Sequence, residues 1–216
     1  MLFFSVCFIC CNTLETYVEN AENNYTAIAI EEKSNLFIEK LKMGNYSLVN
    51  TSNEHSKITF LLDEEKDTRN YNFYNGNSLL YKIEIVKSEH RKQITNNFSL
   101  EFGTNRYISI NKTKYNVNLD TDNNNQTSPY LEIQDSNIGK ITFYKYYSRN
   151  KKSIEKDSNY NTGLSVFVNN NEYGIVSFYP TAFYLKNEYI SNFQINQEKI
   201  TLYLMSAYMS DRYLTR

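Results

Sequence analysis

Tyr81-Lys82-Ile83-Glu84-Ile85 places an apolar or aromatic side chain at every second position, with a charged one between each pair. Successive side chains of a strand point to opposite faces, so a period of two describes a strand with one dry and one wet face. The same alternation continues in both directions along the chain. It recurs at Ile58, Phe60 and Leu62, at Phe98, Leu100 and Phe102, and at Ile108 and Ile110. Further on come Tyr115, Val117 and Leu119, then Leu131 and Ile133, Ile141 and Phe143, the set Leu164, Val166 and Val168, and finally Ile200, Leu202 and Leu204. Between these runs lie Asn75-Gly76, Gly103-Thr104-Asn105, Asn111-Lys112, Asp122 to Asn125, and Asn169-Asn170-Asn171. Asn and Gly tolerate the left-handed backbone that tight hairpins need, so these clusters read as turns.

Many short strands with short connections predict a mainly β protein, an antiparallel meander closed as a sandwich or a barrel. A parallel sheet would need crossover helices, and the pattern contains none. One short helix is expected near residues 34–43, where Ser34 stands as N-cap before Leu36, Phe37, Ile38 and Leu41, and Gly44 closes it. The expected inward set is Phe60, Leu62, Ile83, Ile85, Phe98, Leu100, Phe102, Val117, Leu119, Phe143, Val166 and Leu202. The tail from Ser206 reads equally as a strand end or a terminal helical turn. Residues 148–162, rich in Lys and lacking alternation, read as a long loop or as a boundary between two β lobes within one domain spanning 25–216.

Composition narrows the function more by exclusion than by assertion. A net charge of −1 points to neither a nucleic-acid partner nor an acidic tail. All three cysteines lie at or before Cys11, which leaves the folded part without disulfides, without a disulfide-linked partner and without a thiolate zinc site. Stability must then come from burying aromatic and β-branched side chains, of which 20 Tyr and 13 Phe are a conspicuous share.

The N-terminal run Leu2-Phe-Phe-Ser-Val-Cys-Phe-Ile-Cys-Cys11 is continuously apolar. Its length matches the core of a secretory signal, about 7 to 15 residues, and falls short of the roughly 20 that a membrane-spanning helix needs. At Phe8-Ile9-Cys10-Cys11 it resembles the lipobox of bacterial lipoproteins, with Cys10 where that motif usually carries Gly, Ala or Ser. The resemblance implies a signal peptide over residues 1–11, lipidation at Cys11 with Cys10 as the fallback, and attachment to the membrane through that lipid. Residues 12–24, polar and aperiodic, read as a tether.

Residues able to carry chemistry are few. His55 and His90 sit in polar stretches and read as exposed loop residues. Asp120-Thr-Asp122-Asn-Asn124 begins like a calcium loop but lacks Gly at the sixth position and Glu at the twelfth, so it reads as a solvated turn. Asp63, Glu64, Glu65 and Asp67 are interrupted by Lys66 and read as a charged loop. There is no phosphate loop, nucleophile elbow or HExxH motif. No metal or cofactor is expected.

Aromatic crowding is the one functional signal. Adjacent aromatics at Tyr146-Tyr147 and Phe178-Tyr179 must put rings on both faces of a sheet, and only one face can be core. The expected binding surface comprises Tyr144, Tyr146, Tyr147, Tyr179, Phe183 and Tyr184 beside the cations Arg149, Lys151 and Lys152. The function expected from this is an exported, lipid-anchored envelope protein that binds an envelope, cell-wall or host ligand without catalysis. The alternatives are a structural envelope lipoprotein without a ligand and a hydrolase acting on envelope carbohydrate.

Overall fold

The computed structural model describes residue 18 and residues 21–34, 39–59, 63–95, 98–119, 128–148 and 160–215, with backbone alone for 59, 63, 91–95, 98–102, 147, 148 and 160. After a helical turn, α1 (Ala21–Asn24), the chain builds β1 (Tyr25–Ala29) and then a seven-stranded antiparallel meander. In chain order this sheet contains β2 (Glu31–Ser34), β3 (Glu39–Met43), β4 (Tyr46–Thr59), β5 (Asp63–Asn75), β6 (Ser78–Thr95), β7 (Phe98–Ile110) and β8 (Thr113–Asn116). A second meander follows, with β9 (Leu131–Asp135), β10 (Gly139–Ser148), β11 (Tyr160–Val168), β12 (Asn171–Phe178) and β13 (Thr181–Lys186); β1 adds to its β13 edge and makes six strands. A 3-10 turn (Asn187–Tyr189), α2 (Ile190–Ile195) and α3 (Gln197–Leu214) complete the chain.

The two sheets meet at two corners without closing into a barrel. One corner is a bridge between Val117 and Leu131. The other is Ile30, between β1 and β2, whose N–H donates to the Thr181 carbonyl at 3.4 Å. The hairpins use the turn chemistry read from the sequence. Asn111-Lys112 and Asn169-Asn170 hold positive φ at both residues, as a two-residue type I′ turn requires. Gly103 instead lies inside β7, opposite a register shift at His90/Arg91, so here the glycine marks a bulge rather than a turn.

Between the sheets lies α3, about 27 Å long for its 18 residues and buried on nearly every side. It reaches the seven-stranded sheet through Tyr81, whose hydroxyl donates to Glu198 at 3.0 Å, and through the Arg69 guanidinium 4.1 Å from the Tyr213 ring. It reaches the six-stranded sheet through Phe178 against Tyr208, with ring centroids 5.3 Å apart. The core is therefore a helix wrapped by two sheets. Ile83, Ile85, Val117, Phe143, Val166 and Leu202 are buried in it and Leu119 partly so. Phe60 and Leu62 lie outside the described residues, as do the side chains of Phe98, Leu100 and Phe102.

Two elements depart from the sequence reading. Among the described residues the helix expected at 34–43 does not form: Ser34 ends β2 and Glu39–Met43 is β3, which pairs with β2 on one side and β4 on the other, while residues 35–38 lie outside the described residues. Leu41 and Met43 there face the core while Lys42 is exposed, so burial follows a period of two and overrides the helix-like spacing. The strand expected at Ile200, Leu202 and Leu204 is part of α3. Burial does not alternate there, because the residues in between, Thr201, Tyr203 and Met205, are buried as well. A helix apolar all round shows no helical period. Of the expected tether, Val18 is buried and Ala21–Asn24 forms the helical turn. The strands flanking 148–162 are paired neighbours in one sheet, with Ser148 opposite Tyr160.

Candidate functional site

Strand register decides which aromatics face outward. Phe143, paired with Val166 in β11, points into the core, so its neighbours Thr142, Tyr144 and Tyr146 point to the outer face of the six-stranded sheet. Tyr144 opens a row that runs across the sheet through Ser165, Ile175 and Tyr184 to Ala27. A parallel row runs from Tyr146 through Gly163, Ser177 and Ala182 to Ala29. Gly163 is required here because a Cβ would collide with the Val176 carbonyl oxygen of the adjacent strand.

These rows carry two hollows. Tyr144 packs edge-on to Phe167, with centroids 5.4 Å apart, beside a small depression of about 250 Å³ bordered by Thr142, Ser165 and Asn170. The larger cleft, about 560 Å³, has Ile175 in its floor and Tyr25 and Tyr146 in its walls. Ile175 is only 3% exposed although its strand faces outward. The polar lining comprises Glu172, Lys186 and Glu188 with Asn23, Asn24 and Asn187.

The rim is built by hydrogen bonds. Tyr25 donates to Glu172 Oε1 at 3.1 Å, and the Lys186 ammonium lies 2.8 Å from the other Glu172 oxygen. Asn187 Oδ1 accepts from the Thr26 hydroxyl at 2.8 Å, and its amide donates to the Asn23 carbonyl at 3.1 Å. Partial burial, together with the Glu172 charge, pushes the Tyr25 phenol up to about 12, so it stays a proton donor.

The structure separates the residues expected to act together. Tyr144, Tyr146 and Tyr184 share the outer face, and Tyr147 follows them on β10 after a register shift. Tyr179 sits in the β12–β13 turn, before a cis bond to Pro180, and is 48% exposed. Phe183 is corrected: it is fully buried, and its ring packs between Tyr173 and Phe193. Its pairing with the core residue Val176 fixes it on the inner face, which the crowding of aromatics in this segment does not reveal. Arg149, Lys151, Lys152, Cys10 and Cys11 lie outside the described residues.

Tyr25, Phe167, Ile175, Glu172, Lys186 and Asn187 were missed by the sequence reading. A signal existed for two of them. Val166-Phe167-Val168 and Ile175-Val176 are consecutive apolar residues on strands, so one member of each must face outward. The outer face of the seven-stranded sheet is more polar, carrying Asn70, Asn72, Lys82, Glu84 and Lys114, with Val49, Tyr74, Val86 and Tyr107 among them.

The histidines and acidic residues read as loops lie on strands β4 to β6. His55 is exposed and pairs across strands with Asp67 at 2.6 Å. Among the described residues no group of three or more His, Cys, Asp or Glu is arranged to hold a metal ion. No helix among them is long and apolar enough to cross a membrane.

No family model matches the chain, and no curated protein and no solved structure matches it either.

Proposed function

We propose that this protein is a non-catalytic binding module of the cell envelope, held there by a lipid on Cys11, and that it meets its ligand with the outer face of the six-stranded sheet. The observation that carries this reading is the aromatic content of that face: Tyr25, Tyr144, Tyr146, Phe167 and Tyr184 point outward from four of its strands, β1, β10, β11 and β13. A face meant only for water is polar, as the outer face of the other sheet largely is, and contiguous aromatic surface marks a contact site. The lipobox-like Phe8-Ile9-Cys10-Cys11 supports the address.

Capture of envelope components by the full chain tests the reading. Wild type should recover a partner that a Tyr146→Ala, Tyr179→Ala variant recovers poorly. Equal recovery of every component by the two proteins rules against it.

A further inference from the structure

We infer that the cleft over Ile175 binds a neutral carbohydrate, with a sugar ring against Tyr146 and its hydroxyls on the amides and carboxylates of the rim. This inference rests on the reading of the outer face as the contact surface, and it adds the chemical class of the ligand.

Size is the first argument. About 560 Å³ lies within the roughly 300 to 1,000 Å³ of ordinary small-molecule sites, and is enough for a short saccharide segment.

Chemistry is the second. A pyranose presents apolar C–H faces and an equatorial belt of hydroxyls that both donate and accept. Its complement is an aromatic plane beside groups that also do both, and the cleft supplies phenol rings next to the amides of Asn23, Asn24 and Asn187.

Charge is the third argument, and it weighs against anionic ligands. Lys186 is the one cation lining the cleft among the described residues, and it is already paired with Glu172 at 2.8 Å. A phosphate or carboxylate ligand would have to break that pair and approach Glu188 as well. Nucleotides, phospholipid headgroups and acidic sugars are therefore disfavoured.

Order is the fourth. Asn187 is fixed on both sides by Thr26 and Asn23, and Tyr25 by Glu172, so little freedom is lost when a ligand enters.

The test uses the full chain with cellobiose, maltose and N,N′-diacetylchitobiose as probes, and with inorganic phosphate and tetra-alanine as comparators. Titration calorimetry and saturation-transfer NMR should show saturable binding of at least one disaccharide, with transfer strongest to its ring C–H protons. Affinity should fall about tenfold or more in Tyr146→Ala and be retained in Tyr25→Phe, which keeps the ring. Tyr107→Ala on the opposite sheet should bind like wild type, which controls for general damage. Failure of all three disaccharides, binding unchanged by Tyr146→Ala, or preferential binding of tetra-alanine or phosphate overturns the inference. If no disaccharide binds while envelope capture still depends on Tyr146, the carbohydrate assignment falls and the contact face stands. If capture is indifferent to Tyr146 as well, both fall.

Discussion

Asp135, at the end of β9 beside α3, and Asp211, within α3, are both buried acids, and their surroundings shift them in opposite directions. Burial by itself pushes Asp135 up. Against that, Lys199 Nζ at 2.7 Å, the Tyr203 hydroxyl at 2.7 Å and the N–H groups of Asn137 and Ile138 hold its carboxyl down at about 2. A depressed acid contributes stability that is present above its unfolded value near 4 and is lost as pH falls towards about 2. Asp211 has less support. Burial raises it to about 6, and only the Lys145 charge and the Asn161 amide, 3.3 Å away, pull the other way. The sign is therefore reversed: the unfolded chain ionises first, and stability declines as pH rises from about 4 to about 6. Urea unfolding across that range should show the decline in wild type and a flatter profile in Asp211→Asn, whose amide still accepts from Asn161. An unchanged slope would contradict the account. Asp135→Asn should cost about 2 to 4 kcal/mol at neutral pH, because Lys199 and Tyr203 lose the charge they surround. None of this was legible in the sequence, where both acids look like surface residues. Their side-chain partners come from elements 50 or more positions away.

The helix α3 is the element on which sequence reading and structure part most clearly. Alternation identified the strands because a sheet in contact with water on one side displays its period, and the positive-φ Asn pairs in the hairpins were visible for the same local reason. A helix enclosed by two sheets has no wet side, so Ile200 to Met209 shows almost no amphipathic contrast, and the spacing of Ile200, Leu202 and Leu204 mimics a strand. The Leu, Met and Ala content favoured helix, and length would have arbitrated. Truncating Leu202 or Leu204 to Ala should cost about 2 to 5 kcal/mol each, whereas the two would differ sharply if one lay on an exposed side. The helix also carries Thr201 and Ser206 hydroxyls that are buried without a hydrogen-bond partner among the described residues. Ser206→Ala should therefore stabilise the protein by about 1 kcal/mol in denaturant unfolding, and a loss of stability would mean that this hydroxyl is hydrogen-bonded. In β12, Gly174 has no such latitude, because a Cβ there would collide with the Tyr184 carbonyl and approach the Phe183 ring at 2.8 Å.

At the scale of the molecule, two sheets enclose one helix and turn unlike outer faces to the surroundings. The aromatic outer face of the six-stranded sheet was partly legible: doubled aromatics demanded that rings point both ways, and Tyr144 and Tyr146 do face outward. The cleft was not legible, since Tyr25 reaches it from the first strand and Asn187 from the turn after the last, and only the β1–β13 pairing brings them together. The proposed address has its own check. Metabolic labelling with a palmitate analogue should mark the protein, and label surviving in a Cys10→Ser, Cys11→Ser variant would contradict lipidation at that site. The contact face is the central claim, and contrasting the two outer faces tests it most directly. Envelope-component recovery would be quantified for wild type, for Tyr144→Ala with Tyr146→Ala on one sheet, and for Tyr74→Ala with Tyr107→Ala on the other. The account predicts recovery reduced about tenfold or more in the first pair and unchanged in the second; equal recovery by all three proteins, or loss confined to the second pair, would contradict it.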